Sequence, residues 1–66
     1  MTIKVDKESD ALYFRLAENR VADSEEVRPG VILDFDEQGN VVGIELLGIS
    51  ARASREDLST MHFQSA

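Results

Sequence analysis

The chain has 66 residues, lacks cysteine, and carries 13 acidic and seven basic side chains, so its net charge at pH 7 is −6. This length allows one domain at most, and the absence of cysteine excludes disulfide bonds. Because so small a domain is only marginally stable alone, we expect a second subunit or a metal ion to support it. The acidic charge would repel a phosphate backbone, which argues against nucleic-acid binding. The same charge would either attract a basic protein or serve solubility alone.

The N-terminal sequence MTIKVDKE has neither a basic start nor a long apolar run. The sequence therefore predicts neither a signal peptide nor a membrane-spanning segment. Together with the lack of cysteine, this pattern indicates a cytoplasmic protein without a membrane among its partners.

Two segments near the N-terminus alternate between apolar and polar residues, which is the pattern of strands with one buried face. Ile3 and Val5 share one face of the first segment, TIKV. A polar turn at residues 6–10 separates this segment from residues 11–16, whose alternation is stronger. The two patterns predict two strands joined by a tight reversal.

A third, weaker strand is predicted over residues 21–27, after a second turn at residues 17–20. Its acidic residues and scarce apolar side chains suit a sheet edge that is protected by charge. Pro29 and Gly30 then interrupt the chain, because proline lacks the amide proton of a central strand and glycine admits positive φ angles. We expect a turn or a bulge at this point.

The strongest local signal is DFDEQGNVVGIE, which begins at Asp34. Its acids and its first glycine match the spacing of an EF-hand calcium loop, but its flanks favour strands over the helices that such a loop needs. We therefore predict a hairpin between residues 31–35 and 41–47, with DEQGN as its loop. The predicted register pairs Asp36 with Val41, Phe35 with Val42, Leu33 with Ile44, and Val31 with Leu46.

Only the C-terminal end has the residue spacing of a helix. We predict a short helix near residues 54–61, with Leu58 and Met61 against the sheet, and a frayed tail at residues 62–66. The predicted fold is therefore of the α+β class. It is a small antiparallel β-meander of four to five strands with one short C-terminal helix, and it forms a single domain over residues 1–61.

The predicted strands collect most of the large apolar side chains on one broad face of the sheet. A single short helix covers only part of such a face, and an exposed apolar patch of this size is unusual in a soluble monomer. We therefore expect a homodimer that buries the patch and stabilises the fold. The predicted face comprises Ile3, Val5, Leu12, Phe14, Leu16, Val31, Leu33, Phe35, Val42, Ile44 and Leu46.

No residue pattern in the chain predicts catalysis or a cofactor. His62 is the one histidine, and it falls in the predicted tail, where it could not be positioned as a general base. The serines lack the context of a nucleophile elbow. The carboxylates of Asp34, Asp36 and Glu45 could share an outward face. The alternative hypothesis is therefore a protein that binds a divalent cation weakly, or a small ligand, through these carboxylates.

The leading hypothesis is a non-enzymatic, homodimeric protein-interaction module. Its candidate interaction surface combines acidic side chains with an aromatic and a basic residue on the outward face of the second strand, a pair that could bind a planar or anionic group. The candidate residues are Glu25, Glu26, Asp34, Glu45, Tyr13 and Arg15, and Asp36 belongs to the same predicted acidic face.

Two stretches, DKESDALYFRL and SEEVRPGVILDFDEQGNVVGIELLGIS, resemble the small bacterial and archaeal proteins of domain of unknown function family 2283. The likeness spans roughly residues 3–50, although Lys7 departs from the proline expected in the first turn. The resemblance implies a compact antiparallel sheet with a helix and carries no catalytic residues. It also implies partners of toxin–antitoxin type, so that this acidic chain would be the antidote-like partner of a small basic protein.

Overall fold

The computed structural model describes residues 1–53, and within them the fold is almost entirely β. The predicted helix near residues 54–61 and the tail at 62–66 lie outside the described residues. No helix in the described part of the chain is long and apolar enough to cross a membrane. The elements are β1 (Thr2–Asp6), β2 (Ala11–Arg15), β3 (Asp23–Arg28), β4 (Val31–Phe35), β5 (Val41–Leu47) and one 3-10 turn, η1 (Ile49–Ala51).

The five strands form one antiparallel sheet in the order β1-β2-β5-β4-β3. The predicted antiparallel sheet is confirmed, but the predicted meander is wrong at one connection, because β2 lies beside β5 and not beside β3. Residues 16–22 cross one end of the sheet to reach β3. The four strands from β2 to β5 therefore have Greek-key topology. The acidic composition of β3 suits its edge position, because its consecutive acids point to both faces and a central position would place some of them in the middle of the apolar face.

The register gives the sheet an apolar face and a polar face, because residues directly opposite each other in antiparallel strands point to the same side. The apolar face comprises Ile3, Val5, Leu12, Phe14, Val31, Leu33, Phe35, Ile44 and Leu46. The polar face carries Lys4, Asp6, Tyr13, Arg15, Ser24, Glu26, Asp34 and Glu45, together with Gly43 and a few apolar residues.

The β4–β5 hairpin contains a bulge that the sequence did not predict. The predicted pairs Leu33–Ile44 and Val31–Leu46 are confirmed, but Phe35 lies opposite Val41. The predicted partners of Phe35 and Asp36 are therefore wrong by one residue. The extra residue of β5 is Val42.

The bulge residue Val42 contributes both to the core and to the pairing of β5 with β2. Its side chain is the most deeply buried one described, with 1% exposed. Its carbonyl oxygen accepts hydrogen bonds from the amides of Leu16 (2.8 Å) and Ala17 (3.3 Å). The pairing of β5 with β2 therefore extends to the start of the connection that crosses from β2 to β3.

The opposite end of the sheet is closed by η1. Gly48, with φ of 63°, turns the chain after β5, and the amide of Ile49 then donates to the carbonyl of Asp10 at 3.1 Å. The Ser50 hydroxyl donates to the Asp10 carboxylate at 2.7 Å. Because Ile49 is only 4% exposed, this short turn both adds to the small core and holds the β1–β2 turn in place.

Candidate functional site

At the centre of the polar face, a hydrogen bond between side chains of β2 and β4 passes over a glycine of β5. Tyr13 on β2 donates its hydroxyl proton to Oδ2 of Asp34 on β4, at 2.9 Å, although β5 runs between these two strands. The β5 residue directly opposite Asp34 is Gly43. A Cβ at Gly43 would lie 2.6 Å from the Tyr13 hydroxyl oxygen and 3.0 Å from Asp34 Oδ2. The missing side chain therefore leaves the space in which the hydrogen bond forms.

Asp34 also forms a hydrogen bond with β3, on its other side. Its other carboxylate oxygen, Oδ1, accepts a hydrogen bond of 2.6 Å from the hydroxyl of Ser24 on β3. With only 9% of Asp34 exposed, both oxygens are supplied with protein donors in place of water. This carboxylate thus connects β2, β3 and β4 across the polar face.

Arg15 extends the cluster to the crossing connection. Its Nη1 lies 3.4 Å from the Tyr13 hydroxyl oxygen, and its Nε donates to the carbonyl of Ala17 at 2.7 Å. The hydrogen bond to Tyr13 raises the pKa of Arg15 above its ordinary value, and the nearby negative charges of Glu18 and Asp34 add to the effect. Arg15 therefore stays charged at any physiological pH and fixes the start of the connection.

Asp36 organises the neighbouring hairpin loop. Its Oδ1 accepts hydrogen bonds of 2.9 Å from the amides of Gln38 and Asn40, and its Oδ2 accepts one of 3.0 Å from the side-chain amide of Asn19. The bond from Asn19, followed by the one from the Asn40 amide, lowers the pKa of Asp36 below its ordinary value of 3.8. In the loop that resembled a calcium-binding sequence, the Asp36 carboxylate thus binds backbone amides of the loop itself.

The structure does not gather the three carboxylates of the alternative hypothesis into one metal site. Asp34 and Asp36 direct their oxygens at separate sets of protein donors. Glu45 lies directly opposite Tyr13, two residues along β5 from the partner of Asp34. Among residues 1–53, no group of three or more histidine, cysteine or acidic side chains is arranged to hold a metal ion.

Most of the candidate interaction residues share the polar face, with one exception. Glu26 lies opposite Ile32, in the row that also contains Glu45 and Tyr13. Glu25 lies opposite Leu33, so its prediction as part of the outward acidic face is wrong. Neighbouring residues of a strand point to opposite faces, and two consecutive glutamates cannot both lie on one of them.

A shallow depression lies beside this cluster, near the β1–β2 end of the polar face. Its volume is about 190 Å³. Charged residues of both signs surround it. The lining residues are Lys4, Asp6, Ser9, Ala11, Tyr13 and Glu45.

Sequence reasoning missed the residues that connect the predicted ones. Gly43, Ser24 and Asn19 complete the hydrogen-bond clusters of Asp34 and Asp36, yet none was predicted as part of the site. Gly43 was the one with a readable signal, since a glycine inside a strand marks a close approach by another group. Serine and asparagine in polar segments carry no comparable signal.

A family model described as "Protein of unknown function (DUF2283)" matches residues 2–50 of the chain. No curated protein and no solved structure matches it.

Proposed function

Since the chain belongs to the DUF2283 family, whose description assigns no activity, we propose from its own geometry that it is a non-enzymatic, homodimeric protein-interaction module. The observation that carries this proposal is a concentration of exposed apolar side chains along one edge of the sheet. The proposal has two parts, which are self-association through this edge and binding of a basic partner through the acidic surface.

Among residues 1–53, four of the five exposed large apolar side chains lie at or beside β1. Met1, Ile3 and Val5 alternate along this edge with 72%, 36% and 41% of their surface exposed. Leu16, with 43% exposed, directly follows Arg15, the partner of Thr2 in the register. We call these four residues, Met1, Ile3, Val5 and Leu16, the β1 strip.

A second copy of the chain suits the β1 strip energetically. Covering the exposed part of one such side chain contributes roughly 1 kcal/mol, since full burial contributes about 1.5–3 kcal/mol. Association costs several kcal/mol of lost translational and rotational freedom, so many side chains must be covered together. A second copy brings an equal strip of its own and doubles the number of side chains that become buried.

Charge supports the second part of the proposal. Residues 1–53 carry eleven acidic and six basic side chains. The exposed edge strand β3 contributes Asp23, Glu25 and Glu26 to this excess. Such a surface attracts a basic protein and speeds its association, which fits an antidote-like role toward a small basic partner.

Self-association is tested by comparing two valines of similar exposure. Val5 lies in the β1 strip, whereas Val41, with 38% exposed, begins β5 two strands away from β1. We expect Val5→Ser to weaken the dimer by about tenfold and Val41→Ser to leave it nearly unchanged, as measured by sedimentation equilibrium. Equal effects of the two substitutions, or none from either, would exclude the β1 strip as the self-association surface.

The basic partner is tested with a polypeptide that co-purifies from the protein's own cells at low salt and is then prepared separately. Its affinity should fall as salt increases, because salt screens exposed charges. Glu25→Gln with Glu26→Gln should weaken binding severalfold, whereas Glu8→Gln with Glu18→Gln, which removes equal charge away from β3, should weaken it less. A neutral partner, or an affinity that salt does not change, would contradict this part of the proposal.

A further inference from the structure

We propose that two copies of the chain join through their β1 strands, in antiparallel orientation, so that two five-stranded sheets continue as one sheet of ten strands. The inference rests on the proposed function, because it specifies how the proposed homodimer is built. It assigns the dimer to an edge of the sheet, where backbone hydrogen bonds and side-chain pairs act together.

The two edges of the sheet differ in their ability to accept another strand. β3 carries three exposed acids, its register shifts at Val27, and Pro29 follows it. Charge, a bulge and proline are the features by which proteins block an edge. β1 pairs with β2 regularly from Thr2 to Asp6, and all five of its residues are exposed. Within residues 1–53, no other strand pairs with the outward edge of β1, so its backbone groups can accept a second copy.

Symmetry and the two faces of the sheet restrict the register between the copies. In an antiparallel pair, residues directly opposite each other share a face. A two-fold axis that relates two such strands is therefore perpendicular to the sheet and lies between the two copies of one residue, which we call an axis through that residue. It keeps both apolar faces on the same side. Within β1, an axis through Ile3, Lys4 or Val5 satisfies this condition.

Charge selects among these three positions of the axis. An axis through Lys4 would place two lysines directly opposite each other, which is destabilising. An axis through Ile3 would leave Lys4 opposite Thr2, without an opposite charge. An axis through Val5 places Lys4 opposite Asp6 of the second copy, and Asp6 opposite Lys4 of the second copy. The Val5 axis thus forms two complementary charge pairs on the polar face.

The same register also covers apolar surface. On the apolar face, Val5 of each copy meets the other Val5, and Ile3 of one copy is a diagonal neighbour of Val5 in the other. The orientation of the Asp6 side chain is already fixed within each chain, because its Oδ1 accepts hydrogen bonds from the amides of Glu8 (3.1 Å) and Ser9 (3.4 Å). An interface of one short strand is small, so we expect a dissociation constant in the micromolar range or weaker.

A pair of charge reversals tests the register. In homodimers of Lys4→Asp or of Asp6→Lys, like charges would face each other at both pairs, and each dimer should weaken by at least about tenfold. In an equimolar mixture, the substituted position of each chain would face the substituted position of the other, and native Lys4 would face native Asp6. The mixed dimer should therefore recover the wild-type affinity, as measured by native mass spectrometry with one chain isotopically labelled.

Asp6→Lys also removes the hydrogen bonds to the β1–β2 turn, so an independent measurement on the wild-type chain accompanies the mixing experiment. Amide hydrogen exchange is measured below and above the dissociation constant. Outward-facing amides of β1 should become protected in the dimer, whereas those of β3 should exchange as in the monomer. Protection at β3, or at neither edge, would overturn the inference.

The outcomes separate this inference from the function on which it rests. Two outcomes would overturn the β1 pairing and leave the homodimer in place. One is that both charge-reversed chains dimerise as tightly as the wild type; the other is that their mixture fails to recover affinity although both chains fold. A wild-type chain that stays monomeric at every concentration would overturn the proposed function itself.

Discussion

Replacement of Gly43 by alanine should lower the free energy of unfolding by about 1–3 kcal/mol. The new Cβ would lie 2.6 Å from the Tyr13 hydroxyl oxygen, so Tyr13 would have to move away from Asp34. In an ordinary extended strand, the same replacement would help, because alanine reduces the entropy of the unfolded chain. A clear loss of stability in urea denaturation would therefore report the crowding across this glycine. For a domain of this size, it corresponds to a fall in Tm of roughly 10 °C.

The matched control is the same replacement in a Tyr13→Phe background. Phenylalanine lacks the hydroxyl that the new Cβ would meet, although the ring carbon Cζ, at 3.2 Å, stays close. The cost of Gly43→Ala should therefore shrink in this background, and the double-mutant cycle should give a coupling of about 1 kcal/mol. Additive effects would show that Tyr13 and Gly43 do not depend on each other, against the geometry described here.

Asp34→Ala should be comparably destabilising, at roughly 2–3 kcal/mol, because it removes an acceptor from two hydroxyl groups at once. The hydroxyls of Tyr13 and Ser24 both donate to this carboxylate, which is only 9% exposed. Asp34→Asn keeps one carbonyl oxygen and should lose less. The measurement is again urea denaturation at neutral pH.

Glu26→Ala serves as the control for Asp34. Glu26 is an exposed acid on the same face, and its removal changes the net charge equally. We expect its effect to stay within about 0.5 kcal/mol. If Asp34→Ala were as mild as this control, then the three-strand cluster around Asp34 would contribute little to the fold.

The sequence alone predicted the strands and the β4–β5 hairpin, because alternation of apolar and polar residues follows directly from the two faces of a strand. It did not predict that β2 lies beside β5. Alternation reports which side chains face the core, but many strand orders place the same side chains there. The acids of β3 were a partial signal, since they favour an edge over the centre of a meander, but they do not say which strand lies beside β2.

For the candidate site too, the sequence predicted which face each residue occupies but not which residues contact each other. Tyr13, Arg15 and Asp34 were predicted on an outward face, and the structure places them on one polar face. Their contact across Gly43 depends on the order β2-β5-β4, which local sequence does not encode. The extra residue at Val42 also escaped prediction, because an unbroken apolar and polar alternation in the two strands carries no sign of a bulge.

The central claim is that the chain works as a homodimer, and sedimentation equilibrium of the wild-type protein over a wide concentration range tests it most directly. We predict a reversible increase of the mass from 7.3 kDa toward twice that value as the concentration rises through the micromolar range. A mass that stays at 7.3 kDa up to millimolar concentration would contradict the account.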